Sequence, residues 1–163
     1  ALFQMWIKEG EKMAENLILC SFLGICSCYD LKLRKIPGWL LYTGILLGTL
    51  YWGILKMAGQ VSWAALPVSL LPGCVILFYS YITEGKIGIG DGLLVMPAGL
   101  MQQWQRCTAE IIGACLLTFF LAAGLLISRK GNRNTRIPFA PFFLAAVVLV
   151  WIMEAWIGVP VDK

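Results

Sequence analysis

Apolar residues in this chain fall into six runs, which are separated by short polar, basic or glycine-rich segments. The runs cover about residues 13–29, 38–55, 61–82, 92–104, 108–128 and 137–157. A helix needs roughly 20 apolar residues to cross a bilayer, and several runs approach or exceed that length. The pattern predicts an all-α bundle of about six transmembrane helices in a single domain, residues 1–163. The fourth run is too short to cross upright, and we favour a short span shielded by its neighbours over a re-entrant segment.

The composition also indicates a polytopic membrane protein. The chain of 163 residues is 60% hydrophobic and only 13% charged, whereas soluble domains carry about 25% charged residues. The net charge of +4 is small and does not indicate a nucleic-acid partner. The residues up to Lys12 mix apolar with charged side chains. We therefore interpret the first run as a retained span and not as a cleaved signal peptide.

Histidine and cysteine usage limits the chemistry. The chain has no histidine, which excludes a Ser-His protease and a zinc protease built on HExxH. Its six cysteines form no CxxC pair and lie mostly inside apolar runs, where a free cysteine behaves as a small hydrophobic residue. We therefore expect no metal and no cofactor, and carboxylates are the leading candidates for any hydrolytic chemistry.

Basic residues are distributed unequally between the two sides of the predicted bundle. The segments after the first, third and fifth runs hold eight of them: Lys32, Arg34, Lys35, Lys86, Arg129, Lys130, Arg133 and Arg136. The opposite side holds five basic and six acidic residues. Because basic loops tend to remain in the cytoplasm, the first side is predicted to be cytoplasmic and both ends of this chain to be outside.

Three acidic residues lie on the predicted cytoplasmic side, namely Asp30, Glu84 and Asp91. Asp30 ends the first run and Asp91 opens the fourth, so the topology brings both carboxylates to one membrane face. Carboxylates that meet in a low-dielectric site share one proton, and such a pair can supply a general base and a general acid. Each aspartate alone could equally be a helix cap or an ion partner of a loop cation. Glu84 is interpreted as an ordinary interfacial charge.

Glycines surround the second aspartate, in the sequence Gly88-Ile89-Gly90-Asp91-Gly92. Glycine lets a backbone approach a substrate closely and adopt a positive φ, and we expect both at these three glycines. Asp91 is also placed where a carboxylate can cap the free amides of a helix start. After the first aspartate, the Ile36-Pro37 pair predicts a helix break, because proline disfavours helix at the residue before it.

Three segments together resemble the type IV prepilin peptidases, the GxGD class of membrane aspartyl proteases, in their short form. Asp30 is followed six residues later by Ile36-Pro37, as in the family's first motif, and 88–91 (GIGD) matches the second. The segment 136–142 (RIPFAPF) is similar to the stretch that opens the family's last helix. Order, spacing and the six-span layout agree over nearly the whole chain.

The resemblance implies a GxGD aspartyl protease fold. Family members cut the short basic leader from prepilins and pseudopilins at the cytoplasmic face of a prokaryotic membrane, usually after a glycine. Their two motif aspartates are catalytic, which here implies Asp30 and Asp91, with Gly88 and Gly90 as motif support. Prepilin-like proteins and membrane lipids are the implied partners; the particular pilin and the oligomeric state do not follow from the resemblance.

Two positions depart from the family pattern. Gly38 follows Ile36-Pro37 where asparagine is common, and Leu93 stands where many members have a lysine. No lysine at that position can therefore handle substrate or protons. Long members also carry paired CxxC motifs and methylate the new amino terminus. We expect peptidase activity without methyltransferase activity, as in the short forms that serve tight-adherence pili or archaeal-type filaments.

Two other functions remain open at this stage. One is a protease that cuts within substrate helices in the manner of presenilin, but such enzymes have their aspartates deeper in their helices. The other is a small membrane transporter or a structural subunit of a membrane assembly, in which the two aspartates bind a cation or a partner. The lack of acidic residues in mid-membrane argues against an ion path.

Overall fold

The computed structural model describes residues 2–33, 35–83, 88–127 and 138–157. Within these ranges the chain forms α-helices and no strand, which confirms the all-α prediction. The helices are α1 (Leu2–Leu33), α2 (Gly38–Met57), α3 (Ala65–Ile82), α4 (Ile89–Gln102), α5 (Trp104–Ile127) and α6 (Ala140–Ile157).

Four helices are long and apolar enough to cross a membrane, namely α1 from Lys12 onward, α2, α3, and α5 as far as Gly124. The apolar part of α6, Ala140–Trp156, is shorter. Helix α4 has 14 residues, which gives it a length of about 21 Å, well below the roughly 30 Å of a hydrocarbon core. The molecule is thus a membrane helical bundle built around one short helix.

The helix bounds differ from the apolar runs mainly at the ends. Helix α1 starts at Leu2 and continues past Asp30 to Leu33, so Asp30 lies in the last turn of the helix. The break at Ile36 is confirmed: Pro37 is the N-cap of α2 and has an extended backbone, with φ −65° and ψ 135°. The predicted start of the sixth run, residue 137, lies outside the described residues.

Helix α4 is the centre of the bundle. It packs most closely against α3 and α2 and also contacts α5 and α1, and its residues from Gly92 to Gln102 are nearly all buried. Its last residue, Gln102, hydrogen-bonds through its side chain to Asn16 of α1 at 3.0 Å. Since Asn16 lies well before Asp30 in α1, α4 runs antiparallel to α1 inside a shell of longer helices.

Small residues allow α3 and α4 to approach closely. A Cβ on Gly99 would overlap the backbone carbonyl oxygen of Ser69, and one on Gly92 would lie 2.7 Å from Leu77 Cγ and 3.0 Å from its backbone nitrogen. On α3, a Cβ on Gly73 would lie 2.6 Å from Met96 Cγ. Close backbone contact at small residues is how membrane helices gain packing energy without a hydrophobic drive between them. It fixes α4 along its length.

A buried ion network joins α4, α5, α6 and α1 at the end of the bundle where α4 stops. Arg106 Nη2 lies 3.2 Å from Glu154 Oε2, and Arg106 Nε lies 3.7 Å from Glu110 Oε1. With its amide nitrogen toward Glu110, Gln102 donates to that carboxylate at 2.8 Å and accepts from the Asn16 side-chain amide at 3.0 Å. We call this part of the bundle, defined by Arg106, Glu110 and Glu154, the arginine end.

Candidate active site

Asp30 is held at the opposite end of the bundle by the start of α6. Its side chain is 8% exposed, and its Oδ2 accepts a hydrogen bond of 3.1 Å from the backbone amide of Ala140. Ala140 is the first residue of α6, where backbone amides lack helical partners and the helix dipole favours negative charge. The carboxylate of α1 therefore caps α6.

Asp91 lies in the first turn of α4, three residues after the N-cap Gly88. Its backbone amide donates to the Gly88 carbonyl at 3.0 Å, and its carboxylate accepts a hydrogen bond from the Gly88 backbone. This reciprocal arrangement resembles a capping box, in which the third residue of a helix reaches back to the N-cap amide. The expectation that Asp91 helps to satisfy the amides of a helix start is thus met within its own helix.

The two aspartates lie near enough for the charge of Asp30 to act on Asp91. Burial, and after it the negative charge of Asp30, raises the pKa of Asp91 from 3.8 to about 6, while the hydrogen bond from Gly88 acts in the opposite direction. Asp91 lies in the first turn of α4, next to the loop and outside the four spanning helices. The structure therefore brings together the two carboxylates that topology placed on one face. We call this part of the bundle, defined by Asp30 and Asp91, the aspartate end.

Several apolar side chains lie near the pair among the residues that the structure describes. Leu41 of α2 lies near Gly90, at 3.8 Å from the position of a Cβ there. Tyr29, next to Asp30, makes an edge contact with Trp39 of α2 at 6.5 Å between ring centres. Leu93, two residues after Asp91, packs against the hydrophobic core. Such walls lower the local dielectric and make a shared proton favourable.

One expectation for the glycines is wrong. Among the described glycines only Gly59 has a positive φ, of 73°, and Gly88 has φ −64° and ψ 128°. The physical reason is that Gly90 and Gly92 belong to the right-handed first turn of α4, where absence of a side chain serves packing. Gly92 gives room to Leu77, and a Cβ on Gly88 would lie 3.3 Å from Asp91 Oδ2.

Sequence reasoning missed the contact of Asp30 with Ala140. The segment that opens α6 was singled out as a motif, and its prolines mark a helix start, but a backbone amide leaves no signature in sequence. Within the described residues no group of three His, Cys, Asp or Glu side chains could hold a metal. Glu84, Arg136 and Ile137 lie outside the described residues.

Comparison with known proteins now bears on this site. Residues 17–150 match the family model of the type IV leader peptidase family. The match includes both aspartates, the Gly88–Asp91 motif and most of α6. No curated protein matches the chain, and no solved structure matches it.

Proposed function

Because the chain belongs to the type IV leader peptidase family and is thus a protease of that general type, we propose that it is an aspartyl endopeptidase. Its catalytic pair would be Asp30 and Asp91, and its substrates the leader peptides of prepilin-like or pseudopilin-like precursors. The observation that carries this proposal is the electrostatic coupling of two partly or fully buried carboxylates from α1 and α4. A coupled pair of this kind is what peptide hydrolysis without metal or covalent intermediate requires.

The contacts of the two aspartates suggest different roles. The raised pKa of Asp91 favours its protonated form, so Asp91 is the proposed general acid. The amide of Ala140 at the start of α6 donates to Asp30 and holds its carboxyl group in place, so Asp30 is the proposed general base. Because protons in such a pair belong to the pair as a whole, these roles describe the arrangement from which attack would start.

In the proposed reaction, Asp30 takes a proton from water as the water oxygen attacks the scissile carbonyl carbon. Asp91 gives its proton to the carbonyl oxygen, which produces a neutral tetrahedral diol. Asp30 then gives its proton to the leaving nitrogen while Asp91 takes a proton back from a hydroxyl of the diol, so the C–N bond breaks and the leader peptide is released. The net result consumes one water and leaves the pair with the single proton that it had at the start.

The proposed location of the reaction is the cytoplasmic face of a prokaryotic cytoplasmic membrane. Support comes from the basic side chains, since eight of thirteen lie on the side of the aspartates in the predicted topology. Membrane proteins keep such loops in the cytoplasm. Leader peptides are themselves basic and remain on that side, so the carboxylates would meet them without crossing the membrane.

The test is cleavage of a co-expressed prepilin by the full chain and by the variants Asp30→Asn and Asp91→Asn. Each variant is expected to lower the cleavage rate by at least about a thousandfold, the loss typical for removal of a member of a catalytic unit, while membrane insertion stays normal. Glu84→Gln is the matched control, because it removes the third acid of the predicted cytoplasmic side. Full cleavage by either aspartate variant would sink the proposal and favour a transporter or structural subunit.

A further inference from the structure

A cavity of about 540 Å³ lies at the arginine end, away from the catalytic pair. Its walls come from the last turns of α2, the α2–α3 loop, the first turns of α3 and the junction of α4 with α5. Helix α4 separates the two ends of the bundle by about 21 Å. The cavity is therefore too far from the aspartates to hold the peptide bond that they would cut. Any molecule bound in the cavity would therefore act at a place separate from the catalytic pair.

Two buried polar atoms in the cavity wall lack partners among the described residues. Trp52 is 5% exposed, and its indole Nε1 makes no hydrogen bond; neither does the buried side-chain oxygen Oε1 of Gln105. Both residues line the cavity. Buried polar groups in proteins nearly always have a partner, so each exception calls for one. The Trp52 indole is a donor and the Gln105 oxygen is an acceptor. A ligand that satisfies both must carry one acceptor and one donor.

The remaining walls divide into an apolar and a polar side. Leu55, Val68 and Leu100 supply hydrocarbon, while Ser62 and Gln103 supply polar groups. Gln103 has a φ of 67°, the single positive φ among the described residues other than glycine. Such a conformation is costly in a non-glycine residue and is often found where a backbone shapes a binding site. The cavity thus suits an amphiphile.

A positive charge is connected to the cavity wall through two tryptophan rings. Lys56 Nζ lies 5.3 Å from the centre of the Trp63 ring, and Trp63 in turn packs against Trp52 with 5.6 Å between ring centres. The cation–π contact holds the ammonium group in place without neutralising it. Trp63 and Trp104 are exposed at this end, as tryptophans at a membrane interface are.

We propose that this cavity binds an anionic phospholipid whose headgroup carries a free hydroxyl, such as phosphatidylglycerol. The phosphate oxygen would accept from the Trp52 indole and pair with Lys56. The headgroup hydroxyl would donate to Gln105 Oε1, and an acyl chain would lie along Leu55 and Val68. A soluble glycerol phosphate shares the polar chemistry but lacks the chains, so the experiment has to distinguish the two.

The test uses native mass spectrometry of the full chain, purified in a mild detergent and mixed with defined lipids. Palmitoyl-oleoyl phosphatidylglycerol is expected to bind at least about fivefold more tightly than the phosphatidylcholine with the same chains, which has no headgroup donor and no net charge. Trp52→Phe and Gln105→Leu should each weaken phosphatidylglycerol binding about fivefold or more, as the loss of one buried hydrogen bond does. Lys56→Gln should reduce the preference over phosphatidylcholine.

The control is Trp39→Phe, which removes an exposed indole at the aspartate end and should leave lipid binding unchanged. Circular dichroism and size-exclusion profiles show whether each variant is folded, so binding is read only on folded protein. Equal binding of the two lipids, or unchanged binding in both Trp52→Phe and Gln105→Leu, overturns the inference. Displacement of the lipid by millimolar glycerol phosphate overturns it too, since the site would then hold a soluble phosphate ester. None of these readouts depends on proteolysis.

Discussion

The ion network at the arginine end and the aspartate end each contain two acidic side chains, and the two pairs have different partners. At the arginine end, Glu110 and Glu154 both face the guanidinium of Arg106. At the aspartate end, the contacts identified for the pair are backbone amides, from Ala140 to Asp30 and from Gly88 to Asp91. Within the part of the chain that the structure describes, neither aspartate forms an ion pair with a lysine or arginine.

The difference between these pairs separates a structural use of acids from a chemical one. A buried carboxylate beside a guanidinium stays ionised and has no proton to give. Two carboxylates that have amide donors but no cationic partner repel one another when both are charged, and this repulsion adds to the burial that raises the pKa of Asp91 to about 6. The arginine end is therefore suited to hold helices together, and the aspartate end to move protons.

Helix α4 connects the two ends. Asp91 lies in its first turn, and Gln102, which contacts Glu110, is its last residue. Helix α3 packs against α4 through glycines with little spare room, at both ends of α4. Variants at the two ends should nevertheless differ in whether stability or activity changes first.

Removal of the cation from the arginine end should produce the largest loss of stability. In Arg106→Met, two buried glutamates face each other without a guanidinium, and we expect the free energy of unfolding to fall by about 3–5 kcal/mol. Thermal and denaturant unfolding in detergent, followed by circular dichroism, measure this change. Lys32→Met, which removes an exposed cation from α1, should change it by less than about 1 kcal/mol. A stable Arg106→Met protein would show that the network contributes nothing to the fold.

Glycine-to-alanine substitutions on α4 should affect stability at both ends of the bundle but cleavage mainly at the aspartate end. Gly99→Ala meets the Ser69 carbonyl and Gly92→Ala meets the backbone and side chain of Leu77, so each should destabilise the bundle by about 1–3 kcal/mol. Gly92→Ala, which shifts the turn that holds Asp91, should also lose most of the prepilin cleavage, while folded Gly99→Ala retains more of it. Gly53→Ala is the control, because a Cβ there meets nothing within 4 Å. Equal prepilin cleavage by folded Gly92→Ala and Gly99→Ala would contradict the different roles of the two ends.

The convergence of Asp30 and Asp91 could be predicted from sequence because it depends only on topology and on charge in the loops. The helix break at Ile36 could be predicted because proline acts locally. The amide of Ala140 could not, since a backbone donor has no side-chain signature and its contact with Asp30 depends on how α6 packs against α1. A glycine in the sequence indicates either close packing or an unusual backbone conformation, but the sequence does not show which of the two applies.

The buried ion network at the arginine end is not predicted from the sequence. Arg106 and Glu110 are four residues apart, a spacing that indicates an ion pair on one helix face. In the predicted topology they belong to the charged residues on the side opposite the aspartates, whereas the structure buries both side chains, at 2% and 0% exposure. Burial of that pair depends on contacts with Glu154 of α6 and Gln102 of α4. These contacts follow from how the helices pack, which hydropathy alone does not determine.

The smallest expected effect concerns stability at the aspartate end and has a defined pH dependence. The folded protein raises the pKa of Asp91 to about 6, above the 3.8 of an ordinary aspartate, so the unfolded chain loses this proton more readily. The associated stability is fully present below pH 3.8, is lost as pH rises toward 6, and stays lost above it.

Asp91→Asn cannot ionise, so it should melt at a higher temperature than the parent at pH 8, with the gap closing as pH falls from 6 to 4. Glu110→Gln, which leaves Arg106 less well paired, should instead melt lower than the parent at pH 8. If Asp91→Asn also melts lower at pH 8, the aspartates would be stabilised charges like those at the arginine end, and the contrast between the two ends would fail.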